Sequence, residues 1–493
     1  CAGHMFEGAV AHYQATGKRT LLDAACRYAD YIDTVFGAEE GKKRGYPGHE
    51  EIELALVKLY QATGETRYLR LCQYFIEERG RQPHYFDAEA VARGESAADF
   101  WATTYEYNQS HIPVREQQEV VGHAVRAMYM LCAIADLARE LDDPGLQATC
   151  ERLWQQLTSR RLYVTGALGA SSANEGFTTD YDLPNLAAYA ETCAAIGLVQ
   201  WNYRMLLLDV QSRYADVMEQ ALYNGILSGI SFDGTSFFYV NPLESNGTHH
   251  RQIWYKCACC PPNIARLFLS LGRLLYTVSK DEIIVHLYAQ STTTLALPSQ
   301  QVTLHQRTNY PWDGNISLEV EVSEPGEFGL NLRIPGWCKE AHLTLGEEEL
   351  PLKIRNGYAH VRRDWNSGDS LTLSLAMPVE RVYAHPAVRA TVGSVALQRG
   401  PLVYCLEAAD HTSELHQISL SREVPLEAHV AENLLSGVTI ITGPASVLQT
   451  DDWSDTLYST APPRATEQTL TAIPYYAWGH REHGEMQVWI REG

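Results

Sequence analysis

Three cysteines, Cys257, Cys259 and Cys260, fall within four residues of one another. Such a cluster can hold a metal ion, form a disulfide or supply a nucleophile. A bond between the adjacent Cys259 and Cys260 would be severely strained. The thiols could instead be small buried apolar groups, since free cysteine is among the most buried residue types. That alternative suits the single cysteines on apolar helical patterns better than this cluster.

Glu191 and Cys193 form a second group of ligand types, two residues apart and 259 − 193 = 66 residues before Cys259. A tetrahedral zinc ion takes thiolates at about 2.3 Å and carboxylates at about 2.0 to 2.2 Å. Cys259 and Cys260 would complete a set of three cysteines and one glutamate. The spacing is not a zinc-finger pattern, and Cys257 could replace any of the thiols. A site with four protein ligands would normally be structural.

Glu175 lies near the end of residues 165–176, a stretch rich in glycine, serine and alanine with no charge before this glutamate. The stretch lacks the strand and helix context of a phosphate-binding loop. We therefore predict an exposed active-site loop that presents Glu175. The alternative is an ordinary solvated glutamate on a loop.

Three histidines, His49, His111 and His123, occur in polar segments where helices are expected to begin or end. A single histidine in such a place more often caps a helix or sits in a core. Three in similar settings favour a shared function, because helix starts on one rim of a ring of helices would point these groups into a common bowl.

Residues 1–280 follow a helical pattern that contains a faint repeat. Tyr-Gln-Ala-Thr-Gly at 13–17 recurs at 60–64, and an amphipathic segment follows each copy. Each glycine, Gly17 and Gly64, is expected to close one helix and begin a turn to the next. Repeats of this size indicate stacked helix pairs, which a solenoid or a closed α/α toroid would both satisfy.

The period changes to two after about residue 281, where short alternating segments separated by Pro, Gly and Asp turns predict β-sandwich structure. The chain is therefore expected to be an α+β multidomain protein. We predict a helical catalytic domain at 1–280, a β-sandwich at 281–400 and a second β-rich domain at 401–493. Long loops are expected at 412–436, and neither β region contains a catalytic cluster.

The net charge of −21 and the pI near 5.3 argue against a nucleic-acid surface or an anionic membrane as partner. No apolar run approaches 20 residues, so a membrane span is not predicted. Eleven cysteines, an odd number with a cluster in one place, do not resemble a secreted disulfide framework and favour a reducing, cytoplasmic compartment. The first residues read as the inside of a helix, so an N-terminal piece is expected to be missing.

Several motifs together resemble glycoside hydrolase family 127, the β-L-arabinofuranosidase family. The most specific are Cys-Ala-Cys-Cys-Pro-Pro-Asn and Glu-Thr-Cys, and the likeness extends to residue 478. The motifs that carry the resemblance lie at residues 1–4, 48–50, 113–117, 121–126, 191–193, 237–243 and 257–263.

The resemblance implies an (α/α)6 barrel followed by C-terminal β-sandwich domains. It also implies a retaining hydrolysis that releases terminal β-L-arabinofuranose, with Cys259 as nucleophile and Glu175 as acid and base. A zinc ion would be held by Glu191, Cys193, Cys259 and Cys260.

The family's sugar-binding positions match His4, His49, His123, Glu219 and Tyr239. Neutral donors and acceptors of this kind suit an uncharged pentose. The expected partner is a small carbohydrate, and a homodimer is compatible with the sequence. Two alternatives stay open: the same scaffold acting on another pentose or an acidic sugar, and a non-catalytic carbohydrate-binding protein with a structural zinc.

Overall fold

The computed structural model describes residues 1–99 and 104–493. The chain forms two compact units, of which unit 1 is helical and unit 2 contains the strands, so the prediction of an α+β multidomain protein is confirmed. Within the described ranges, no helix has the length and apolar character needed to cross a membrane. Unit 1 comprises Cys1–Tyr163, Leu168–Asp182 and Tyr189–Asp209, and unit 2 comprises Val164–Ala167, Leu183–Ala188 and Val210–Gly493.

Unit 1 is built from helices that pack extensively against the next helix but one, as well as against their neighbours in the chain. They are α1 (Ala2–Thr16), α2 (Thr20–Val35), α3 (Ile52–Thr63), α4 (Thr66–Glu78), α5 (Tyr85–Ala92), α6 (Ala124–Glu140), α7 (Pro144–Arg160) and α8 (Thr192–Leu208).

The repeated Tyr-Gln-Ala-Thr-Gly segment ends α1 and α3 in the same way. Gly17 and Gly64 adopt φ values of 69° and 76°, and each donates its N–H to the carbonyl of the tyrosine four residues earlier. A residue with a side chain is disfavoured in this left-handed conformation, whereas glycine adopts it freely. The predicted helix ends are confirmed.

A third helix pair is formed by α6 and α7. Asp143 caps α7 by accepting from the N–H groups of Gly145 and Leu146, with Pro144 in the first turn. The next helix, α8, covers Thr192–Leu208. Ala190 has a φ of 41°, which a helix cannot contain.

Two of the three polar segments immediately precede helices: His123 caps α6, and residues 46–51 lead into α3. In the segment that contains His111, where a helix was expected to begin or end, the structure has only a short 3-10 turn, Val114–Glu116. Gln117 then leaves the turn with an extended backbone, which ends the helical hydrogen bonding.

Unit 2 contains three further helices, α9 (Ser212–Gln220), α10 (Cys260–Ser270) and α11 (Gly272–Leu275), and a π-helical segment, Ala221–Ile226, that continues α9. Its strands are β1 (Glu244–Asn246), β2 (Tyr276–Ser279), β3 (Glu282–Val285), β4 (Ser291–Ala296), β5 (Gln301–Thr308), β6 (Asn315–Val322), β7 (Gly326–Arg333), β8 (Ala341–Leu345), β9 (Glu348–Glu349), β10 (Ile354–Arg355), β11 (Tyr358–Trp365), β12 (Ser370–Leu375), β13 (Val379–Val382), β14 (Ser394–Arg399), β15 (Leu402–Glu407), β16 (Ile418–Leu420), β17 (Glu427–Ala431), β18 (Val438–Leu448), β19 (Ala465–Pro474), β20 (Glu485–Gln487) and β21 (Ile490–Glu492).

The strands form three sheets. One has the order β10-β11-β7-β3-β2, one has the order β4-β5-β6-β12-β8-β9, and the ten-stranded sheet runs β1-β20-β15-β19-β18-β16-β21-β14-β13 with β17 beside β18. Alternate residues of β6 and β12 are buried, as their period-two sequences predict. The segment 412–436 contains β16 and β17 as well as loops, so it is more regular than predicted.

Candidate active site

Glu175 occupies a strained and well-anchored position. Its φ is 51°, in the left-handed region, which costs a residue with a side chain about 1–2 kcal/mol. Its carbonyl accepts from Ala124 N–H at 3.1 Å, and the next residue but one, Phe177, donates to Gly122 O at 2.9 Å. The side chain is 41% exposed. Backbone strain of this kind is common at functional sites.

The loop that carries Glu175 was predicted to be exposed, but much of it is buried. Residues 165–170 are buried, and only Ser172 and Ala173 are fully exposed. The small residues pack closely: a Cβ on Gly166 would lie 2.6 Å from the backbone of Ala221. The glycine and alanine content therefore reflects close backbone packing rather than an open surface loop.

His123 contacts Glu175 directly. Its side chain is 9% exposed, and Nε2 lies 2.8 Å from Oε2 of Glu175. At the other side of the ring, Nδ1 accepts from Val125 N–H at 3.2 Å and Arg126 N–H at 3.5 Å, which caps α6. One imidazole therefore connects the start of a helix to the predicted acid.

Glu191 and Cys193 lie at the start of α8, where Glu191 is the N-cap residue and Cys193 is in the first turn. Both are buried. The N-terminus of a helix carries a partial positive charge, which stabilises a carboxylate or a thiolate there. Oxygen or nitrogen atoms of Glu191, Glu175 and His123 lie within 4.8 Å of one another. The predicted metal ligand and the predicted acid are therefore neighbours within unit 1.

Cys259 and Cys260 lie at the start of α10, where Cys259 is the N-cap residue. Their Sγ atoms are 3.8 Å apart, and the Cys259 thiol donates to the Tyr239 hydroxyl at 3.2 Å. The backbone N–H of Tyr239 in turn donates to the hydroxyl of Tyr255 at 3.1 Å. Tyr255 had not been predicted to belong to the site, and no local sequence signal marks it.

Glu191, Cys193, Cys259 and Cys260 form a group that could hold a metal ion, since one ligand atom from each lies within 4.8 Å of the others. Three thiols and one carboxylate are a donor set that zinc favours. Two thiolates on a tetrahedral zinc, each bonded at about 2.3 Å, are about 3.8 Å apart. The separation of 3.8 Å between the sulfurs of Cys259 and Cys260 therefore fits this ion.

The remaining cysteine of the cluster, Cys257, is exposed and lies outside this group. The three thiols that do belong to the group differ in exposure: Cys193 and Cys260 are buried, and Cys259 is partly exposed. None of the eleven cysteines, all of which lie in the described ranges, forms a disulfide. Only Cys259 thus combines membership of the metal group with access from solvent.

His4 and His49 both pack against Tyr129, with ring centroids 6.3 Å and 5.9 Å from it. Nδ1 of His4 lies 3.0 Å from Oε1 of Glu51. His49 is an exposed residue. Loss of bulk water, followed by the charge of Arg126, lowers the pKa of His49 to about 3. This imidazole is therefore neutral at physiological pH.

The fourth predicted sugar-binding residue, Glu219, is buried among protein donors. Its carboxylate accepts from the Tyr310 hydroxyl at 2.6 Å, from the Trp337 indole at 3.1 Å and from the Arg333 guanidinium. Arg333 also donates to Asp216 at 2.6 Å. These bonds fix Glu219 firmly, and its contact with sugar stays a prediction.

A buried ionic group near His49 had no counterpart in the sequence prediction. Arg79 donates to Glu50 at 2.9 Å, to Glu53 at 3.0 Å and to the carbonyl of Pro47 at 2.8 Å, and all three charged residues are fully buried. Arg126 also donates to the carbonyl of Gly48. The two guanidinium groups thus hold the backbone directly before His49, and Arg79 also holds the side chain of Glu50 directly after it.

Family comparisons agree with these features. The β-L-arabinofuranosidase GH127 catalytic domain matches residues 1–273, the GH127 middle domain matches 282–377, and the glycoside hydrolase family 127 C-terminal domain matches 379–491.

Individual relatives cover nearly the whole chain. A non-reducing end β-L-arabinofuranosidase of Bifidobacterium longum subsp. longum is 40% identical over 517 residues, which cover 99% of this chain and 78% of the relative. A crystal structure of a GH127 β-L-arabinofuranosidase from Geobacillus stearothermophilus T6 is 51% identical with a TM-score of 0.98, over 100% of this chain and 80% of that one. A second GH127 β-arabinofuranosidase structure is 39% identical with a TM-score of 0.91, over 100% of this chain and 76% of that one.

Proposed function

We propose a specific reaction for this chain, which belongs to glycoside hydrolase family 127 and is therefore a glycosidase. The reaction is a retaining hydrolysis that releases terminal β-L-arabinofuranose from oligosaccharides or glycoconjugates. The names of the relatives from Bifidobacterium longum and Geobacillus stearothermophilus support this choice of sugar. The observation that carries the proposal is the group formed by Glu191, Cys193, Cys259 and Cys260, in which one thiol is open to solvent.

Cys259 is the proposed nucleophile. Cys193 and Cys260 are buried, so Cys259 is the member of the group that a sugar can approach. In the first step its sulfur forms a bond to the anomeric carbon, while the bond from that carbon to the leaving oxygen breaks. A thiolate rather than a thiol performs this attack. Tyr239, which contacts the sulfur at 3.2 Å, can donate a hydrogen bond to it once the thiol has lost its proton.

The proposed cofactor is zinc, held by Glu191, Cys193, Cys259 and Cys260. Bound there, zinc would keep the thiols deprotonated at neutral pH. The protein contributes the two helix starts that bring these ligands forward, at α8 and α10. Burial of three of the four ligands also shields them from exchange with solvent.

Glu175 is the proposed acid and base. It gives its proton to the leaving oxygen in the first step and takes a proton from water in the second step, as that water displaces the sulfur from the anomeric carbon. Two displacements at one carbon retain its configuration. The partial exposure of the side chain and its contact with His123 at 2.8 Å support the role.

His4, His49, His123, Glu219 and Tyr239 are proposed to bind the hydroxyl groups of the sugar. The neutral state of His49 supports an uncharged pentose as ligand, because a neutral imidazole can both accept and donate a hydrogen bond. The proposed partner is accordingly a small carbohydrate, with neither nucleic acid nor membrane involved.

We also propose an (α/α)6 barrel for the helical part and β-sandwich domains after it. The successive helix pairs α1/α2, α3/α4 and α6/α7 support the barrel, and the three sheets support the sandwiches. The domain boundaries 1–280, 281–400 and 401–493 are supported by the matched ranges 1–273, 282–377 and 379–491. A homodimer and a cytoplasmic location are part of the same proposal, the latter because none of the cysteines forms a disulfide.

A panel of aryl pentosides and uronides offered to the purified protein tests the reaction. We expect turnover of the 4-nitrophenyl β-L-arabinofuranoside to exceed that of every other glycoside in the panel. Faster turnover of another pentoside or of a uronide would reassign the substrate. Absence of turnover on all of them would favour a binding protein with a structural metal.

A further inference from the structure

We infer that His123 is a positioning residue for Glu175. Its ring, held in one tautomer, donates from Nε2 to Oε2 of the carboxyl group, so that the proton for transfer is carried by Oε1. The inference rests on the acid and base role proposed above for Glu175, and it adds to the sugar-binding role that the family resemblance gives to His123.

The helix cap fixes the tautomer. Nδ1 of His123 faces the backbone N–H groups of Val125 and Arg126 at 3.2 Å and 3.5 Å. Both of those groups are donors, so Nδ1 must present a lone pair and cannot carry a proton. The proton of the neutral ring is then on Nε2, which lies 2.8 Å from Oε2 of Glu175. The hydrogen positions follow from this pattern of partners.

The backbone holds the two residues together independently of their side chains. His123 and Gly176 form an antiparallel bridge, flanked by the bonds from Ala124 N–H to Glu175 O at 3.1 Å and from Phe177 N–H to Gly122 O at 2.9 Å. A Cβ on Gly176 would lie 1.8 Å from the carbonyl oxygen of Gly122. The segments are therefore in direct contact, and the pair cannot separate without breaking this bridge.

The ring itself is also fixed in place. His123 donates its own backbone N–H to Tyr107 O at 3.1 Å, and the Tyr107 ring packs edge-on against the imidazole with centroids 5.5 Å apart. Gln109 donates to the carbonyl of His123 at 3.3 Å. Rotation of the ring would therefore disturb the cap, the aromatic contact and the bond to Glu175 together.

This arrangement gives the two carboxyl oxygens different tasks. Because Oε2 accepts from Nε2–H, a proton on Glu175 resides on Oε1, from which it passes to the leaving oxygen. In the second step Oε1 takes the proton of the attacking water. Oε2 stays bonded to His123 in both steps, so the start of α6 sets the orientation of Oε1, the oxygen that transfers the proton.

Two variants distinguish the role of His123 as cap of α6 from its role as hydrogen-bond donor to Glu175. His123→Asn retains a good helix cap, since asparagine is among the preferred N-cap residues, but its amide is too short to reach Glu175. His123→Gln extends about as far as Nε2 and can donate, but glutamine is a poor N-cap. The metal-loaded protein and both variants are assayed, together with Glu175→Gln, by kcat/KM on β-L-arabinofuranosides whose leaving groups range from 4-nitrophenol through 4-methoxyphenol to methanol.

Acid positioning predicts a dependence on the leaving group. A good leaving group needs little protonation. His123→Asn should therefore lose about 10- to 100-fold more kcat/KM on the methyl glycoside than on the 4-nitrophenyl glycoside. This loss is part of the roughly 10²- to 10⁴-fold rate enhancement that a general acid contributes. His123→Gln should restore the shallow dependence of the wild type although its Tm is lower. If His123→Asn instead loses the same factor of kcat/KM on all substrates and keeps the wild-type dependence on the leaving group, the inference is overturned. His123 would then have only a sugar-binding role.

The Glu175→Gln variant distinguishes failure of the inference from failure of the proposed function. A steep leaving-group dependence in Glu175→Gln, with a uniform loss in His123→Asn, contradicts the positioning role alone. A shallow dependence in Glu175→Gln contradicts the acid role of Glu175, and the inference falls with it.

Discussion

The sulfur atoms of Cys259 and Cys260 lie 3.8 Å apart, but the two side chains differ in exposure, since Cys260 is fully buried and Cys259 is partly open to solvent. Adjacent residues at the start of one helix thus have different environments. The buried thiol can serve only as a ligand, whereas the open one can also meet a substrate. This difference supports the roles proposed above for the two cysteines.

Replacement of the nucleophile is the most direct test. We expect Cys259→Ser to lower kcat/KM for 4-nitrophenyl β-L-arabinofuranoside by about 10³-fold or more, since loss of a nucleophile removes the chemical step that depends on it. Cys257→Ser is the matched control, because Cys257 is exposed and lies outside the ligand group. Near-normal turnover in the Cys259 variant, with both proteins folded, would contradict the mechanism.

A covalent adduct should form on the same residue. Rapid quenching of the wild-type protein during turnover of an activated arabinofuranoside, followed by peptide mass spectrometry, is expected to locate one pentosyl group on the peptide that contains Cys259. The Cys259→Ser protein, treated in the same way, provides the blank. A pentosyl group on a carboxylate would reassign the nucleophile.

Removal of a buried ligand should release the metal. Cys193 is buried at the start of α8, so Cys193→Ala should lower the zinc content from about one per chain, as a mononuclear site requires, and should lower Tm as well. Cys150→Ala is matched to it, as another buried helical cysteine that lies outside the ligand group. Elemental analysis that gives the same zinc content for both variants would show that Cys193 is not a ligand.

Strain at Glu175 should make a glycine variant more stable than an alanine variant, although both variants lose activity. Its φ of 51° is unfavourable for glutamate and alanine but not for glycine. Glu175→Gly and Glu175→Ala should both lose hydrolysis of poor leaving groups. The glycine variant should nevertheless be more stable than the alanine variant by about 0.5–1 kcal/mol.

Chemical denaturation of the two Glu175 variants measures the difference in their free energies of unfolding. Both variants lack the contact with His123, so the loss of that contact does not contribute to the difference. An alanine variant as stable as the glycine variant would mean that the backbone relaxes and stores no strain. Exogenous azide provides a functional readout, because it should accelerate turnover of the 4-nitrophenyl glycoside by either variant and give the retained glycosyl azide.

Local sequence signals predicted the features that depend on neighbouring residues. Gly17 and Gly64 end their helices as predicted, and His123 begins α6, because caps are decided within a few residues. The period-two pattern likewise predicted β6 and β12.

Features that depend on long-range packing were outside the reach of such signals. The spacing of the residues gave the ligand set only as one possibility, with Cys257 as an alternative thiol, because Cys193 and Cys259 are 66 residues apart in the chain, from 259 − 193. The loop before Glu175 was expected to be exposed, but its small residues allow it to pack closely against other backbone segments. Arg79 directly follows α4, and no local pattern there indicates the two carboxylates that it contacts.

The ionic group around Arg79 should make stability depend on pH. Burial, opposed by Arg79, raises the pKa of Glu50 from its ordinary value of 4.5 to about 8. A carboxyl group that binds its proton more tightly in the folded state contributes stability below its unfolded pKa and loses that contribution as the pH rises through its folded pKa. Glu50→Gln keeps an acceptor for Arg79 and cannot titrate. The wild type should therefore lose stability relative to Glu50→Gln between about pH 4.5 and pH 8.

Calorimetric Tm values of the two proteins at several points across that interval test the sign. We expect the difference, variant minus wild type, to increase with pH and then to level off above the folded pKa. Glu324→Gln is the control, since Glu324 is exposed and its replacement should give a small difference that does not change with pH. A constant difference for Glu50→Gln would mean that Arg79 keeps Glu50 ionised throughout. A difference that decreases with pH would place the folded pKa below the unfolded one, with the ion pair outweighing the cost of burial.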